Sequence, residues 1–141
     1  MTNIKTIEQL GYAGLVPFGF LAALMWLVDA ELLPFVSIAL VGYAATIVSF
    51  LGGVYWGIGF MHRGAAPRVY FLWGVAPSLL AWLGLLMSAQ AALPFFALVL
   101  VTCYLVDRRL YAVANLSDWL PMRLRLTVVS SISCLMGAAA I

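Results

Sequence analysis

Asp107-Arg108-Arg109 is the densest cluster of ionisable side chains in this sequence, and it directly follows the apolar run Ala91–Val106. That position predicts a helix end. Cations suit a helix C-terminus and the cytoplasmic side of a membrane. A carboxylate at a membrane boundary is costly unless it is paired. Arg68, Arg123 and Arg125 are the candidate partners for Asp107. Such a pair would act as a structural clamp. The alternative chemistry is an anion or lipid-phosphate site made by several of these arginines.

A second group is aromatic. Tyr55 and Trp56 follow the double glycine Gly52-Gly53, and His62 comes six residues after Trp56. Tyr and Trp anchor helices at membrane interfaces. Beside glycines, and with Trp82, they could also wall a pocket for a quinone ring, a lipid headgroup or a tetrapyrrole. His62 is the single histidine, so one chain offers neither a bis-His haem site nor a His-rich zinc site. Met61 and His62 point about 100° apart on a helix and do not clamp one iron. No metal or other cofactor is expected, and no nucleic-acid partner. The sequence has neither an H-E-x-x-H motif nor a Gly-rich phosphate loop with Lys. Ser78 has no histidine at matching depth. No catalytic residue is assigned, and a non-enzymatic role is expected. Trp119 sits in the mixed segment Tyr111–Leu120, which suits a short interfacial helix and a partner contact.

The elements that position these residues follow from composition. The chain has 141 residues, 66% apolar and 9% charged. Soluble domains run near ~45–50% apolar and ~25% charged. A small soluble fold cannot hide that much apolar surface, and disordered chains are polar. An integral membrane protein remains. A spanning helix needs about 20 apolar residues. Five such spans are predicted: Leu10–Val28, Pro34–Met61, Val69–Met87, Ala91–Val106 and Leu124–Ile141. They are apolar on every face and lack the alternation of barrel strands. The expected fold is a single all-α transmembrane domain over residues 1–141.

All seven Lys and Arg fall on one side of such a threading: Lys5, then Arg63 and Arg68, then Arg108, Arg109, Arg123 and Arg125. Basic loops stay cytoplasmic. The N-terminus is therefore expected inside and the C-terminus outside, in a multi-pass protein of the bacterial inner membrane. So one-sided a split argues against a dual-topology dimer. The first apolar stretch exceeds a signal-peptide core of about 7–15 residues, and is expected to stay as a span. Cys103 and Cys134 both fall within spans and are expected as free, small apolar side chains.

Ala45, Ser49, Gly53 and Gly57 recur every four residues in the second span. Small residues at this spacing let helix backbones approach closely. Ser130, Ser133, Cys134, Gly137 and Ala138 offer a complementary face in the fifth span. Either the two faces pack within one subunit, or one meets a membrane-protein partner or a second copy. Kinks are expected at Pro17, Gly52 and Pro77. Matches at an offset of 60 suggest two repeated helix hairpins, with Gly14–Pro17 paired to Gly74–Pro77 and Leu33–Phe35 to Leu93–Phe95. The fifth helix then stands outside the repeat.

Five segments occur in order: Gly14–Phe18, Ser49–Gly57, Pro77–Trp82, Asp107–Leu110 and Leu120–Thr127. Together they resemble a family of small bacterial integral-membrane proteins of unknown function, the domain of unknown function three-four-two-nine type, related to a small mitochondrial transmembrane protein. The resemblance covers nearly the whole chain. It implies a compact helical membrane domain and supplies no reaction. The expected role is an accessory, assembly or scaffold component for other membrane proteins. The alternative is a binder or carrier of a small hydrophobic or planar ligand (lipid, quinone or tetrapyrrole) between the hairpins.

Overall fold

A computed structural model describes residues 2–141. Six helices order the chain: α1 (Thr2–Ala13), α2 (Leu15–Leu27), α3 (Leu33–His62), α4 (Arg68–Leu85), α5 (Ala89–Val113) and α6 (Leu120–Ala139), with single 3-10 turns at Arg63–Ala65 and Ser117–Trp119. Five stretches are long and apolar enough to cross a membrane, α1 and α2 together making the first, Asn3–Leu27. The described residues contain no strand. Large apolar side chains cover the outer surface of the spans: Trp26, Phe35, Ile38, Phe60, Leu72 and Leu98 are all more than half exposed. Lipid tails are the solvent that suits such a surface.

The first span starts earlier than the apolar run predicts, because α1 is an amphipathic helix continuing into α2. The two are separated only at Gly14. Pro17, three residues on, has no N–H to close the turn across that point. Pro17 frees the Ala13 carbonyl oxygen, and at the next residue the Tyr43 hydroxyl donates from α3 to the Gly14 carbonyl oxygen at 2.6 Å. The kink expected at Pro17 is thus a break in the helix. Pro77, by contrast, lies inside an uninterrupted α4.

No break occurs at Gly52. α3 is continuous over 30 residues, about 45 Å of helix, well beyond the ~30 Å hydrocarbon core. Gly52 serves packing instead. A Cβ there would overlap the carbonyl oxygen of Gly74 and press on the Pro77 ring. α4 is accordingly the helix on which α3 packs most extensively. Within a bilayer no water-driven term holds helices together, so close van der Waals contact must do so.

This contact also corrects the predicted stripe. Ala45 is buried and Ser49 half-buried, but Gly53 and Gly57 are exposed, and a Cβ on either would meet nothing. The inward face runs through Val41, Ala44, Val48, Gly52, Tyr55 and Gly59. The small face of the last helix does pack inward: Ser130, Ser133, Cys134 and Gly137 are buried. A Cβ on Gly137 would meet Leu40 at 2.7 Å and the Met25 sulfur at 3.0 Å. The core they join contains Phe18, Met25, Leu40, Val48, Leu93, Phe96 and Leu100. Cys103 and Cys134 are buried free thiols.

The matched prolines of the suggested repeat sit unlike one another. Pro34 lies in the first turn of α3, whereas Pro94 is inside α5. α5 itself continues past Asp107 to Val113, so Asp107 does not end a helix. Asn115, at φ 64°, closes α5. The amide of Leu116 donates to the Tyr111 carbonyl oxygen at 2.8 Å, the bond of a Schellman cap. A tight turn and the 3-10 turn Ser117–Trp119 then lead straight into α6, where an interfacial helix was expected.

Candidate functional site

Three helices bring their polar side chains to one buried point. Asp107 of α5 is 2% exposed and Arg123, in the first turn of α6, is 6% exposed. Arg123 donates to Asp107 Oδ2 twice, from Nη2 at 2.7 Å and from Nε at 3.0 Å. Its Nη1 donates to Thr127 Oγ1 at 3.2 Å. The other carboxylate oxygen, Oδ1, accepts from the hydroxyl of Tyr55 on α3. Tyr55 is fully buried, with Tyr70 and Tyr111 rings at 5.6 and 6.0 Å. Tyr70 ties α4 in by donating to the Leu110 carbonyl oxygen at 3.3 Å. Among the described residues no buried side-chain N or O lacks a partner.

Charge and geometry make this a closed group. One carboxylate meets one guanidinium, with hydroxyls on the remaining sites. A buried pair persists only with such complete pairing. Its arrangement cross-links α3, α5 and α6 and carries no net charge.

Beside it lies a cleft of about 610 Å³, walled by α1, α2, α3 and α6. Its floor holds Phe18, Leu100, Tyr111, Arg123 and Ser130, all buried. Its rim holds Leu10 and Phe50, each 69% exposed. The walls are otherwise aliphatic, including Leu51, Val54 and Leu126. α1 is fastened across one side: Arg125 Nη1 donates to the Tyr12 hydroxyl at 3.2 Å, and Gly11 packs on Met122. A cavity of ~300–1,000 Å³ with apolar walls and a few polar groups has the form of a small-molecule site.

The residues singled out in the sequence divide among several places. Tyr55, Asp107 and Arg123 meet in the buried group. Arg123 is thus the partner chosen from the three arginines. Trp119 is half-buried in the cleft wall. Trp56 packs on Phe71 and donates from Nε1 to its carbonyl oxygen at 3.1 Å. Trp82 is 58% exposed, and His62 is exposed at the end of α3. None of these three lines the cleft. Arg108 and Arg109 are exposed on α5. At the α3–α4 contact between the hairpins the helices approach closely, and a Cβ on Gly74 would overlap the Trp56 ring.

In the sequence Tyr111 stands out only as the start of the mixed segment Tyr111–Leu120, and neither Thr127 nor the α1 wall is singled out. Tyr111 lies four residues beyond Asp107, and Thr127 four beyond Arg123. That spacing places each on its partner's helix face and was the available signal.

Fold and site define a small helical membrane protein, with five candidate spans around a buried ion pair and an apolar side cleft. More narrowly, the chain belongs to the family described as Protein of unknown function (DUF3429), whose profile matches residues 4–139. It is similar to Transmembrane protein 69 of Xenopus tropicalis, 42% identical over 84 residues, which are 58% of this chain and 33% of that protein. The chain therefore spans about a third of the length of that relative. No solved structure matches it.

Proposed function

We propose that this protein is a non-enzymatic membrane bundle that holds an uncharged amphiphile, of the quinone or neutral-lipid kind, in the cleft between α1–α2, α3 and α6. The observation that carries this reading is the cleft itself: about 610 Å³, apolar along its walls, with Tyr111 and Ser130 at its floor beside an Arg123 that Asp107 already pairs. An anionic ligand would have to compete with Asp107 for Arg123. An uncharged head can rest on Tyr111 and Ser130 without breaking the pair, while its tail follows Leu51, Val54 and Leu126. A coordinated tetrapyrrole is disfavoured, because His62 is not among the lining residues.

A diazirine-bearing diacylglycerol tests the reading. Adducts should map to α1 and α6 peptides, and Val54→Trp should remove them. Labelling spread evenly over the lipid-facing helices would count against a site.

A second reading rests on Gly53 and Gly57, which face outward with open space beside them. Such a face suits close approach by a helix of another membrane protein or of a second copy, in keeping with an accessory or scaffold role. Cysteine cross-linking at Gly57 would trap that contact.

The proposed home is the bacterial inner membrane, with the N-terminus in the cytoplasm. The support is the gathering of all seven basic residues at one end of the five-span threading. Reporter fusions should read cytoplasmic at the N-terminus and external at the C-terminus; the reverse pair of signals would overturn the orientation.

A further inference from the structure

A second groove, of about 640 Å³, lies between α4 and α5, and shares no lining residue with the side cleft. Its walls are Val69 and Trp73 from α4, with Thr102, Leu105 and Val106 from α5. Arg108 and Arg109 stand at its basic end. The apolar length of the groove and its charged end have the proportions of one molecule with a fatty tail and an anionic head.

The two arginines are not spent inside the protein. Among the described residues the ion pair formed is Arg123–Asp107. Asp107 is thereby turned inward, away from its two neighbours in sequence. Asp29 and Glu31 lie in the connection at the opposite end of the spans. Glu8 and Asp118 make no ion pair with either arginine. The Thr102 hydroxyl is occupied by the Leu98 carbonyl oxygen at 2.9 Å, so the groove wall is apolar in effect. Leu110 completes the lining, and its carbonyl oxygen accepts from the buried Tyr70. Basic pockets between spanning helices are suited to anionic lipid headgroups, and each Lys or Arg near such a surface contributes. Arg presents a planar fork that matches phosphate oxygens.

We infer that the α4–α5 groove binds an anionic glycerophospholipid, its phosphate on Arg108 and Arg109 and an acyl chain along Trp73, Leu105 and Val106. This site differs from the side cleft in its lining residues and in the charge of its ligand, so either can fail without the other.

The test is a native mass-spectrometric titration of the detergent-solubilised full chain with phosphatidylglycerol and with phosphatidylcholine of the same acyl chains. Phosphatidylglycerol should bind more tightly. Arg108→Gln/Arg109→Gln should weaken it roughly thirtyfold, about fivefold for each arginine. Lys5→Gln/Arg63→Gln removes the same charge elsewhere at the basic end and should change binding less than twofold. Leu105→Trp, which fills the groove, should weaken binding with both arginines in place. Inorganic phosphate at the same concentration should displace no lipid. Equal losses in the two double variants would reduce the effect to general surface charge and overturn the site. Displacement by phosphate would make it a free-anion site, and indifference to Leu105→Trp would remove the acyl chain from the groove. Unequal loss of a diazirine diacylglycerol from Val54→Trp reads the other cleft alone.

Discussion

Removing the Asp107 charge tests the buried cross-link most sharply. Asp107→Asn keeps the side-chain shape, but leaves Arg123 in an enclosed site without its counter-charge. Three hydrogen bonds converge on the carboxylate, one from Tyr55 and two from Arg123. Side-chain bonds between membrane helices contribute about 0.6–2 kcal/mol each. The Asn amide oxygen can still accept some of these bonds in neutral form, so the main cost is the unpaired Arg123 charge, and the loss should be about 3 kcal/mol, at the lower edge of the ~3–5 kcal/mol found when one partner of a buried pair is removed. Tyr55→Phe deletes one of the three and should cost about 1 kcal/mol. The double variant Asp107→Leu/Arg123→Met removes both charges at similar volume. Such replacements are often neutral, so it should return to within about 1 kcal/mol of the wild type. Steric trapping in bicelles measures these differences directly. A double variant as unstable as Asp107→Asn would refute the argument, because the cost could not then arise from an unpaired charge.

Three further outcomes are expected. Gly52→Leu should destabilise by at least the ~1–3 kcal/mol of overpacking, since its Cβ meets backbone; Gly53→Leu, on the open face, should stay within about 0.5 kcal/mol of the wild type in the same assay. Asn115→Ala should lower stability by about 1–2 kcal/mol, because φ 64° disfavours a Cβ without a local polar side chain, whereas Asn115→Gly should be neutral or better. Cys103 and Cys134, as buried free thiols, should give the same gel mobility with and without reductant, and should alkylate fully only after denaturation.

Much of this architecture was written plainly in the residues. Five apolar lengths announced five spans, and an isolated carboxylate beside a membrane helix demanded a cation from a short set. Which cation, and how deep, was another matter. The charges after Val106 read as a boundary because a helix normally ends where charge begins. Here Arg123 neutralises Asp107 and Tyr55 donates to it, each from another helix, and α5 runs on for another seven residues to Val113. Nothing local signals a hydroxyl 52 positions away.

The misplaced glycine stripe has a simpler cause. Steps of four residues rotate about 40° past a full turn. From Ala45 to Gly57 three such steps carry the stripe about 120° round the helix, from the core to the lipid. Steps averaging 3.6 lead to Gly52 and Gly59, both buried. The side cleft was hidden for another reason. Its outer wall is α1, whose first turns hold Lys5 and Glu8, too polar to be counted into the apolar run that began at Leu10.

The measurement that bears most directly on the cleft is native mass spectrometry of the wild type and Val54→Trp, each gently extracted from its own membrane. The account predicts a fixed, uncharged small mass on the wild type and none on the variant, with both chains folded. A bare wild-type chain, or the same mass retained by Val54→Trp, would contradict it.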